Sequence, residues 1–397
     1  MTYRKVLQHP IIGRLSLIQF ISYFGTWFSQ VAIFSMLIEF NADEVTIALV
    51  ASMGMLPAVI LAPIIGIIID KVPFKQLMFY LLLVEISMTL SFILINSLDY
   101  VWILMILIFI RSSSASILFS AEMALFPKIL KGDMLKKTNE IHSIIWSLCY
   151  ALGMAVGGLT TYYIGFDMAF LIDAILYSLA IFILLGLNIN IKQIKYNISN
   201  WQMFKEGLIY LINNKKIIHI IILHASLGFT SFDTLVTLLA DFQYKEVIAV
   251  PLAIGWINAT RAFALMIGPL FISNLVNRST LHYFFILQGL AIILWAFLEY
   301  NFYISLIGLF VAGFFTTTLW SYTYLLLQEE IEPKFMGRVI SYNDMFFMLT
   351  NVIVALFIGY SSKWGLELKI ITIILGFGFI FTAFYYIWFK ENYLKGY

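Results

Sequence analysis

The chain has 397 residues, of which 62% are hydrophobic and only 12% are charged, with a formal net charge of +2 and a mean hydropathy of +0.94. Soluble domains carry about 25% charged residues, so this composition excludes an ordinary soluble protein and leaves a polytopic membrane protein. The single cysteine, Cys149, excludes an internal disulfide bond, and the small net charge gives no sign of a nucleic-acid partner.

Twelve apolar stretches are long enough to cross a bilayer, since each crossing needs about 20 residues. A cleavable signal peptide is not expected, because the first stretch is too long for the apolar region of a signal and lacks a small-residue cleavage site. The predicted spans are 13–38, 46–69, 77–96, 101–126, 139–164, 167–188, 217–239, 250–272, 281–298, 301–327, 339–362 and 367–389.

The distribution of Lys and Arg predicts the orientation of these spans. With the N-terminus in the cytoplasm, nineteen of the 24 basic residues fall on the inner side and only Lys245, Lys363 and Lys369 face outward. The remaining two, Arg111 and Arg261, lie within spans. This bias requires an even number of spans, so both termini are predicted to be cytoplasmic.

The one long loop, 189–216, separates 1–188 from 217–397, and each part holds six predicted spans. Within the loop, 201–211 is amphipathic and is predicted to lie along the inner membrane surface. A weak repeat relates 66–71, at the end of span 2, to 273–278, at the end of span 8. We therefore expect two six-helix bundles, a cytoplasmic linker and a site near the middle of the membrane.

Span 4 carries the most informative charges. Arg111 and Glu122 are eleven residues apart, so at about 100° per residue they share one helix face. Arg111 lies near the middle of the span, where insertion of a cationic side chain into the membrane costs about 2.5–3.5 kcal/mol. Such residues usually face the interior of a helix bundle. By the rise per residue, Glu85 in span 3 lies at nearly the depth of Arg111, which predicts an ion pair. The Glu85–Arg111 pair either has a structural role or opens when Glu85 is protonated. For Glu122, the alternatives are a proton acceptor and a solvated residue.

Polar residues follow one helix face in several spans, at offsets of 0, 4, 7 and 11 residues. Spans 9 and 12 offer no such stripe. Trp27 borders the first stripe and either stacks on a flat ligand or packs against lipid or protein. The stripes are Gln19, Tyr23, Thr26 and Gln30 in span 1, Ser226, Thr230, Asp233 and Thr237 in span 7, and Thr317, Ser321, Tyr324 and Gln328 in span 10.

Other residues within spans give weaker predictions. Asp233 and Arg261 pair only if the long Arg side chain reaches toward the outer surface, and Asp173 is expected to make a contact at a helix end. Pro57, Pro63 and Pro269 are expected to bend spans 2 and 8. The sequence contains no phosphate-binding glycine loop, no metal-type Cys/His cluster and no nucleophile motif, which argues against an ATP-driven pump or an enzyme and predicts no cofactor.

Several short motifs resemble the major facilitator superfamily, and within it the drug:proton antiporter branch that includes macrolide efflux proteins and the enterobactin exporter. The resemblance covers nearly the whole chain, although two prolines of the branch motifs are replaced, at Ser120 and Met154. In the motif at the end of span 2, Gly66, Asp70 and Lys71 match and Pro73 stands where glycine is usual. The other matching residues are Arg111, Ala121, Pro127 and Asn139 around span 4, Gly153, Gly157 and Gly158 in span 5, and Glu206, Gly207, Gln328, Gly337, Arg338 and Val339 in the second half.

The resemblance implies that spans 1, 4, 7 and 10 line a cavity and that Asp70 meets the N-terminus of span 11 at a cytoplasmic gate, although Asp70 and Lys71 could instead be an ordinary solvated pair. The gate would also include Gly66, Arg338 and Asp344, and the span 5 glycines would allow close helix packing. The substrate and proton pathway would comprise Gln19, Tyr23, Trp27, Gln30, Glu85, Arg111, Glu122, Asp233, Arg261 and Tyr324.

By this resemblance the chain is expected to be a monomeric secondary active transporter in a bacterial inner membrane. It would export an amphiphilic small molecule (a drug, a macrolide-like compound or a siderophore) in exchange for protons. Two alternatives stay open: a flippase or uptake carrier for a lipid-like or anionic solute, with Arg111 and Arg261 as anion anchors, and a non-transporting membrane scaffold or sensor.

Overall fold

The computed structural model describes residues 3–187, 200–332 and 334–394, and in these ranges every regular element is helical. The predicted all-α fold is confirmed. The helices are α1 Tyr3–Leu7, α2 Pro10–Glu39, α3 Glu44–Ile60, α4 Ala62–Lys71, α5 Phe74–Phe92, α6 Val101–Ile129, α7 Gly132–Ile164, α8 Phe166–Leu185, α9 Asn200–Asn213, α10 Lys215–Ala225, α11 Asp233–Leu239, α12 Val250–Ile272, α13 Leu281–Leu298, α14 Phe302–Glu330, α15 Met336–Lys363 and α16 Leu368–Tyr393.

In the described ranges, eleven helical stretches are long and apolar enough to cross a membrane, and Glu44–Ile60 is a shorter apolar helix. These twelve elements correspond in order to the twelve predicted spans. Ten of the spans are single helices, and two, the second and the seventh, are broken. The orientation of the termini remains a prediction.

The second predicted span is divided at Leu61 into α3 and α4. Pro57 lies inside α3, and Pro63, which has no N–H group, is the second residue of α4. A proline cannot donate to the carbonyl four residues earlier and its ring crowds that carbonyl, so a helix commonly kinks or breaks there. The expected bend in span 2 is therefore a break, whereas α12 continues through Pro269.

The prediction of one continuous helix in the seventh span is wrong, so the helix-face argument for its polar stripe does not hold. Between α10 and α11, Ser226–Thr230 forms a 3-10 turn, and a π turn, Ala240–Tyr244, follows α11. The hydroxyls of Ser226 and Thr230 donate to the backbone carbonyls of Leu223 and Leu227, which competes with regular helical bonding. A helical periodicity of 100° per residue does not hold across such a segment.

The chain forms two compact units, each with its own core. Unit 1 comprises 1–42, 64–197 and 248–259, and unit 2 comprises 43–63, 198–247 and 260–397, each within the described residues. The division predicted from sequence, 1–188, 189–216 and 217–397, stays a prediction, and residues 189–199 of the linker lie outside the described residues.

In unit 1, α2 packs against α7 and α8, and α5 packs against α6 and α8. The core between them is aliphatic, and Leu15, Leu82 and Leu184 are completely buried. Because the alternative environment of such side chains in a membrane is lipid, close van der Waals packing stabilises this core rather than removal from water. This packing holds the middles of α2, α5, α6 and α8 close enough for their polar side chains to meet.

In unit 2, α13 packs against α14 and α16, and α15 packs against α3. Trp295 of α13 is fully buried, lies 5.0 Å from the ring of Phe232, and donates its indole N–H to Ser305 at 3.0 Å. Gly289 of α13 and Gly376 of α16 meet so closely that a Cβ on Gly289 would lie 2.6 Å from the Gly376 carbonyl oxygen. Small residues at this crossing permit the close helix packing.

Candidate functional site

The predicted ion pair between Glu85 and Arg111 is confirmed. The Arg111 Nε donates to Glu85 Oε2 at 3.0 Å, and both side chains are almost completely buried, with residue exposures of 6% and 1%. A second carboxylate completes the arrangement, because an Arg111 terminal nitrogen donates to Asp173 Oδ2 at 2.7 Å. We refer to Glu85, Arg111, Asp173 and Tyr177 as the arginine cluster.

Tyr177 of α8 links this cluster to α2. Its hydroxyl accepts a hydrogen bond from Arg111 at 3.3 Å and donates to the Ser22 carbonyl at 3.2 Å. The guanidinium also lies 5.7 Å from the centroids of the Tyr177 and Phe92 rings. Charge-assisted hydrogen bonds and cation–π contacts together offset the cost of removing the guanidinium from water.

Asp173 does not make the helix-end contact that the sequence predicted. It is completely buried in α8, against α2, at a point where a Cβ on Gly25 would overlap its carboxylate. Gly25 therefore provides the space that Asp173 occupies. The sequence signal available was an aspartate inside a span, which needs a cation or hydrogen-bond donors.

Glu122 belongs to a separate group, which we call the glutamate cluster: Gln19, Tyr23, Glu122 and His142. Gln19 Nε2 and the Tyr23 hydroxyl both donate to Glu122 Oε2, at 2.9 and 3.0 Å. Glu122 is completely buried, and its other oxygen, Oε1, has no hydrogen-bond partner. The structure therefore joins two residues of the predicted span 1 stripe to the predicted span 4 acid.

His142 of α7 is a member that the sequence analysis missed. It is 5% exposed, neither ring nitrogen has a hydrogen-bond partner, and its ring meets the Tyr23 ring edge-on at 5.7 Å. The rings of Phe119 and Phe126 pack around it at 5.2 and 6.1 Å. An unpartnered imidazole beside a buried carboxylate group is unusual, because buried polar atoms are normally hydrogen-bonded.

Trp27 lies in an aromatic group of unit 1. Its ring is 4.3 Å from that of Tyr150 and 5.8 Å from that of Trp146, both on α7. The Tyr150 hydroxyl donates to Asn258 Oδ1 of α12 at 3.3 Å. Trp27 is partly buried and Trp146 is exposed. Gln30, one turn further along α2, is half-buried.

The predicted site residues of unit 2 are Asp233, Arg261 and Tyr324. An Arg261 terminal nitrogen donates to the Thr230 carbonyl at 2.6 Å, and the guanidinium lies 4.9 Å from the Phe232 ring centroid. Asp233, at the start of α11, is partly buried. Tyr324 of α14 stacks on Trp320, with ring centroids 4.8 Å apart. The acceptor for Arg261 is thus a main-chain carbonyl at the break in span 7.

Among the predicted gate residues, Arg338 of α15 donates to Glu206 of α9 at 3.2 Å. In α9, Tyr210 stacks on Phe335 with ring centroids 4.1 Å apart, which fixes the amphipathic helix to the start of α15. The Asp344 carboxylate accepts from Asn343 at 3.3 Å. Lys71 is exposed at the end of α4. The predictions for Gly66 and Asp70 concern side chains that lie outside the described part of the chain.

The glycines of span 5 lie at close helix contacts within unit 1. A Cβ on Gly153 would lie 2.8 Å from Trp27 Cβ, and one on Gly157 would overlap the Phe28 carbonyl oxygen of α2. Gly158 faces α12, where a Cβ would lie 2.6 Å from the Pro251 carbonyl oxygen. These contacts require glycine on sterics alone.

The described residues form twelve apolar helical elements and bury several acidic and basic side chains, a combination typical of multi-pass membrane transporters. Comparison with known families identifies the class more closely. Residues 15–251, more than half of the chain, match the Major Facilitator Superfamily. The chain belongs to this superfamily, whose members are transporters of small molecules and not enzymes.

Solved structures with a similar fold include nucleoside transporter NupG, at a TM-score of 0.75 and 16% identity over 99% of this chain and 100% of that one. A point mutant of NupG gives 0.76 and 16%, over 96% and 99% of the two chains. A bacterial homolog of the human lysosomal transporter Spinster, inward-facing and unoccupied, gives 0.75 and 12%, over 100% and 98%. At these identities the likeness concerns the fold alone. No curated protein matches the sequence significantly.

Proposed function

We propose that this chain is a proton-coupled exporter of amphiphilic small molecules, of the drug:proton antiporter type, working by alternating access. The observation that carries the proposal is an imbalance of buried charge. Among the described residues of unit 1, Glu85, Glu122 and Asp173 are buried carboxylates and Arg111 is the buried cation. An ionised carboxylate in a low-dielectric interior is costly unless it is paired, and binding a proton removes that cost.

Glu122 is the carboxylate best suited to exchange the proton. Its Oε2 already accepts two hydrogen bonds, from Gln19 and Tyr23, whereas Oε1 has no partner and is free to carry a proton. Its hydrogen bonds come from neutral groups, so the charge on Glu122 changes without breaking an ion pair. His142, whose ring packs against Tyr23, is a further titratable side chain in this cluster.

The arginine cluster has a different part in this proposal. Arg111 holds Glu85 and Asp173 together across α5, α6 and α8, and protonation of either carboxylate would weaken one of its two ion pairs. Such a pair of contacts gives the helices a discrete locked arrangement that a proton can release. The structural interpretation of the Glu85–Arg111 pair and the coupling interpretation are thus compatible, since the same bonds serve both.

The substrate class follows from the same charges. With three buried carboxylates and one guanidinium, the interior of unit 1 favours a neutral or cationic ligand over an anion. The partly exposed faces of Trp27 and Trp146 can stack on a flat apolar group. An anion carrier anchored on Arg111 is less well supported, because that guanidinium already contacts two carboxylates.

The test is transport of ethidium, a flat organic cation, by the purified full-length protein in liposomes. We expect an imposed pH gradient to drive ethidium accumulation, and Glu122→Gln to reduce it to the level of protein-free liposomes while ethidium binding persists. Glu39→Gln, at an exposed carboxylate on α2, is the matched control and should transport normally. Gradient-driven accumulation by Glu122→Gln equal to that of the unmodified protein would remove Glu122 from the mechanism.

A further inference from the structure

Unit 2 has a surface cavity of about 370 Å³ that the transport proposal does not use. Three turns of the chain meet there: the π turn Ala240–Tyr244, the residues that follow α13, and the start of α16. Its walls include the aromatic rings of Phe242, Phe297 and Tyr300 and a single buried carboxylate, Glu299. Cavities of this size with an apolar lining and a few placed polar groups are typical of small-molecule sites.

Glu299 is held firmly by the turns around it. The residue is 2% exposed, its Oε2 accepts a hydrogen bond from Thr372 at 3.1 Å, and its backbone carbonyl accepts one from Tyr244 at 2.6 Å. Its Oε1 has no hydrogen-bond partner. Glu299 lines the cavity and one of its carboxyl oxygens has no hydrogen-bond partner, so a donor or a cation that reaches it from the cavity would satisfy that oxygen.

The aromatic wall already accepts an ammonium group. Lys369 Nζ lies 4.3 Å from the centroid of the Phe297 ring, within the range of a cation–π contact. Lys369 is exposed, and its long side chain can leave the ring for water at little cost. Phe297 and Tyr300 are 53% and 67% exposed, so their faces are open to a second apolar group. Glu367 adds a further carboxylate at the rim.

We propose that this cavity binds a small organic cation, namely an ammonium group bearing an aromatic or apolar substituent. The ammonium donates to Glu299 Oε1 and takes the place of Lys369 near Phe297, while the substituent packs against Phe297 and Tyr300. This site is independent of the glutamate and arginine clusters of unit 1. It can therefore exist whether or not the proposed proton coupling is correct.

The lining favours an organic cation over a metal ion. Hard metal ions take about six or more oxygen ligands, and the described residues contain no group of three or more His, Cys, Asp or Glu side chains placed to hold a metal. The cavity supplies one buried carboxylate and aromatic rings instead. That combination recognises ammonium ligands through one ion pair and through the quadrupole of the rings.

Proton release on binding is a second expected property of the site. Burial raises the pKa of the Glu299 carboxyl to about 8, against the opposing effects of the Thr372 hydrogen bond and the Lys369 charge. The charged and titratable neighbours that line or adjoin it are Tyr244, Glu367 and Lys369. A bound ammonium stabilises the ionised carboxylate, so affinity should rise between pH 7 and pH 9 while the amine stays charged.

The experiment is a fluorine NMR titration of the full-length protein in lipid nanodiscs with 4-fluorobenzylamine, and with neutral 4-fluorobenzyl alcohol for comparison. We expect saturable broadening of the amine signal only. Glu299→Gln preserves the shape of the side chain and an acceptor for Thr372, and should weaken amine binding about tenfold or more. Glu391→Gln, an exposed carboxylate at the other end of α16, is the matched control and should bind like the unmodified protein.

Lys369→Met supplies an independent test that does not alter the buried residue. Removing the internal ammonium should strengthen amine binding, because the ligand no longer competes for the Phe297 face. Equal binding of the amine and the alcohol, equal affinities of the Glu299→Gln and unmodified proteins, or no saturable amine binding at all would overturn the site. If Glu299→Gln does not fold, unchanged or weaker binding by Lys369→Met overturns it instead.

Discussion

The substitution of Arg111 by methionine should show how unit 1 tolerates its buried charges. The guanidinium makes two ion pairs, at 3.0 Å to Glu85 and 2.7 Å to Asp173. All three residues are at most 6% exposed, so these ion pairs are shielded from solvent. Methionine keeps an unbranched side chain but leaves both carboxylates without their cation. Removing one partner of a buried ion pair costs about 3–5 kcal/mol.

At about 1.4 kcal/mol for each tenfold change, this loss corresponds to a change of roughly two to four orders of magnitude in the unfolding equilibrium. Unfolding of the purified protein in mixed micelles, followed by Trp fluorescence as denaturing detergent is increased, measures it. The loss should be largely reversed in the triple variant Arg111→Met, Glu85→Gln, Asp173→Asn, because replacing a complete buried charge group by neutral residues is often close to neutral.

Lysine at position 111 gives an intermediate case. An ammonium retains the positive charge but lacks the planar fork that reaches two carboxylates at once, so Arg111→Lys should lie between the unmodified protein and Arg111→Met. A free energy of unfolding for Arg111→Met within about 1 kcal/mol of that of the unmodified protein would refute the reasoning. So would a triple variant no more stable than Arg111→Met, since the cost would then not come from the orphaned carboxylates.

Two other predictions concern packing and pH. Gly157→Val should prevent accumulation of folded protein in the membrane, because a Cβ there would overlap the Phe28 carbonyl oxygen. The control Gly337→Ala, where no atom lies within 4 Å of the new Cβ, should accumulate normally. Similar yields of the two variants would contradict this prediction. Lys363 donates to Asp43 at 2.8 Å and lowers the pKa of Asp43 to about 2. Because the folded-state pKa lies below the unfolded value of about 3.9, the pair stabilises the protein above about pH 4 and this contribution is lost as the pH falls toward 2. Asp43→Asn, which can still cap α3, should therefore lower stability by less than about 1 kcal/mol at pH 7 and by a smaller amount at pH 2.5, and an equal loss at both pH values would contradict the assignment.

The positions of the spans and one ion pair could be predicted from the sequence for simple physical reasons. An apolar run of about 20 residues between charged loops has one stable use, which is to cross a membrane. The pair between Glu85 and Arg111 followed from the helical rise alone, since both residues lie at similar depth and each needs a partner. The match to the Major Facilitator Superfamily agrees with the family expected from the motifs.

The finer parts of the site needed the tertiary structure. Membrane depth estimated from the helical rise per residue has an error of several ångströms, because the helix ends are uncertain. This estimate placed Asp173 at a helix end, whereas Asp173 forms an ion pair with Arg111. Helix-face arguments identified Gln19, Tyr23 and Glu122 separately, but they do not tell which helices are neighbours. His142 was missed because a histidine among apolar residues looks the same in sequence whether or not its nitrogens are satisfied.

The break in the seventh span has a consequence for how this protein tolerates substitution. Arg261 finds its acceptor in the main-chain carbonyl of Thr230, and every amino acid at position 230 carries that carbonyl. The donor, in contrast, is a side chain that only arginine supplies with the same reach and planar geometry. Replacements at position 230 that fit its buried place in the 3-10 turn should therefore keep this bond, whereas replacements of Arg261 should weaken or lose it.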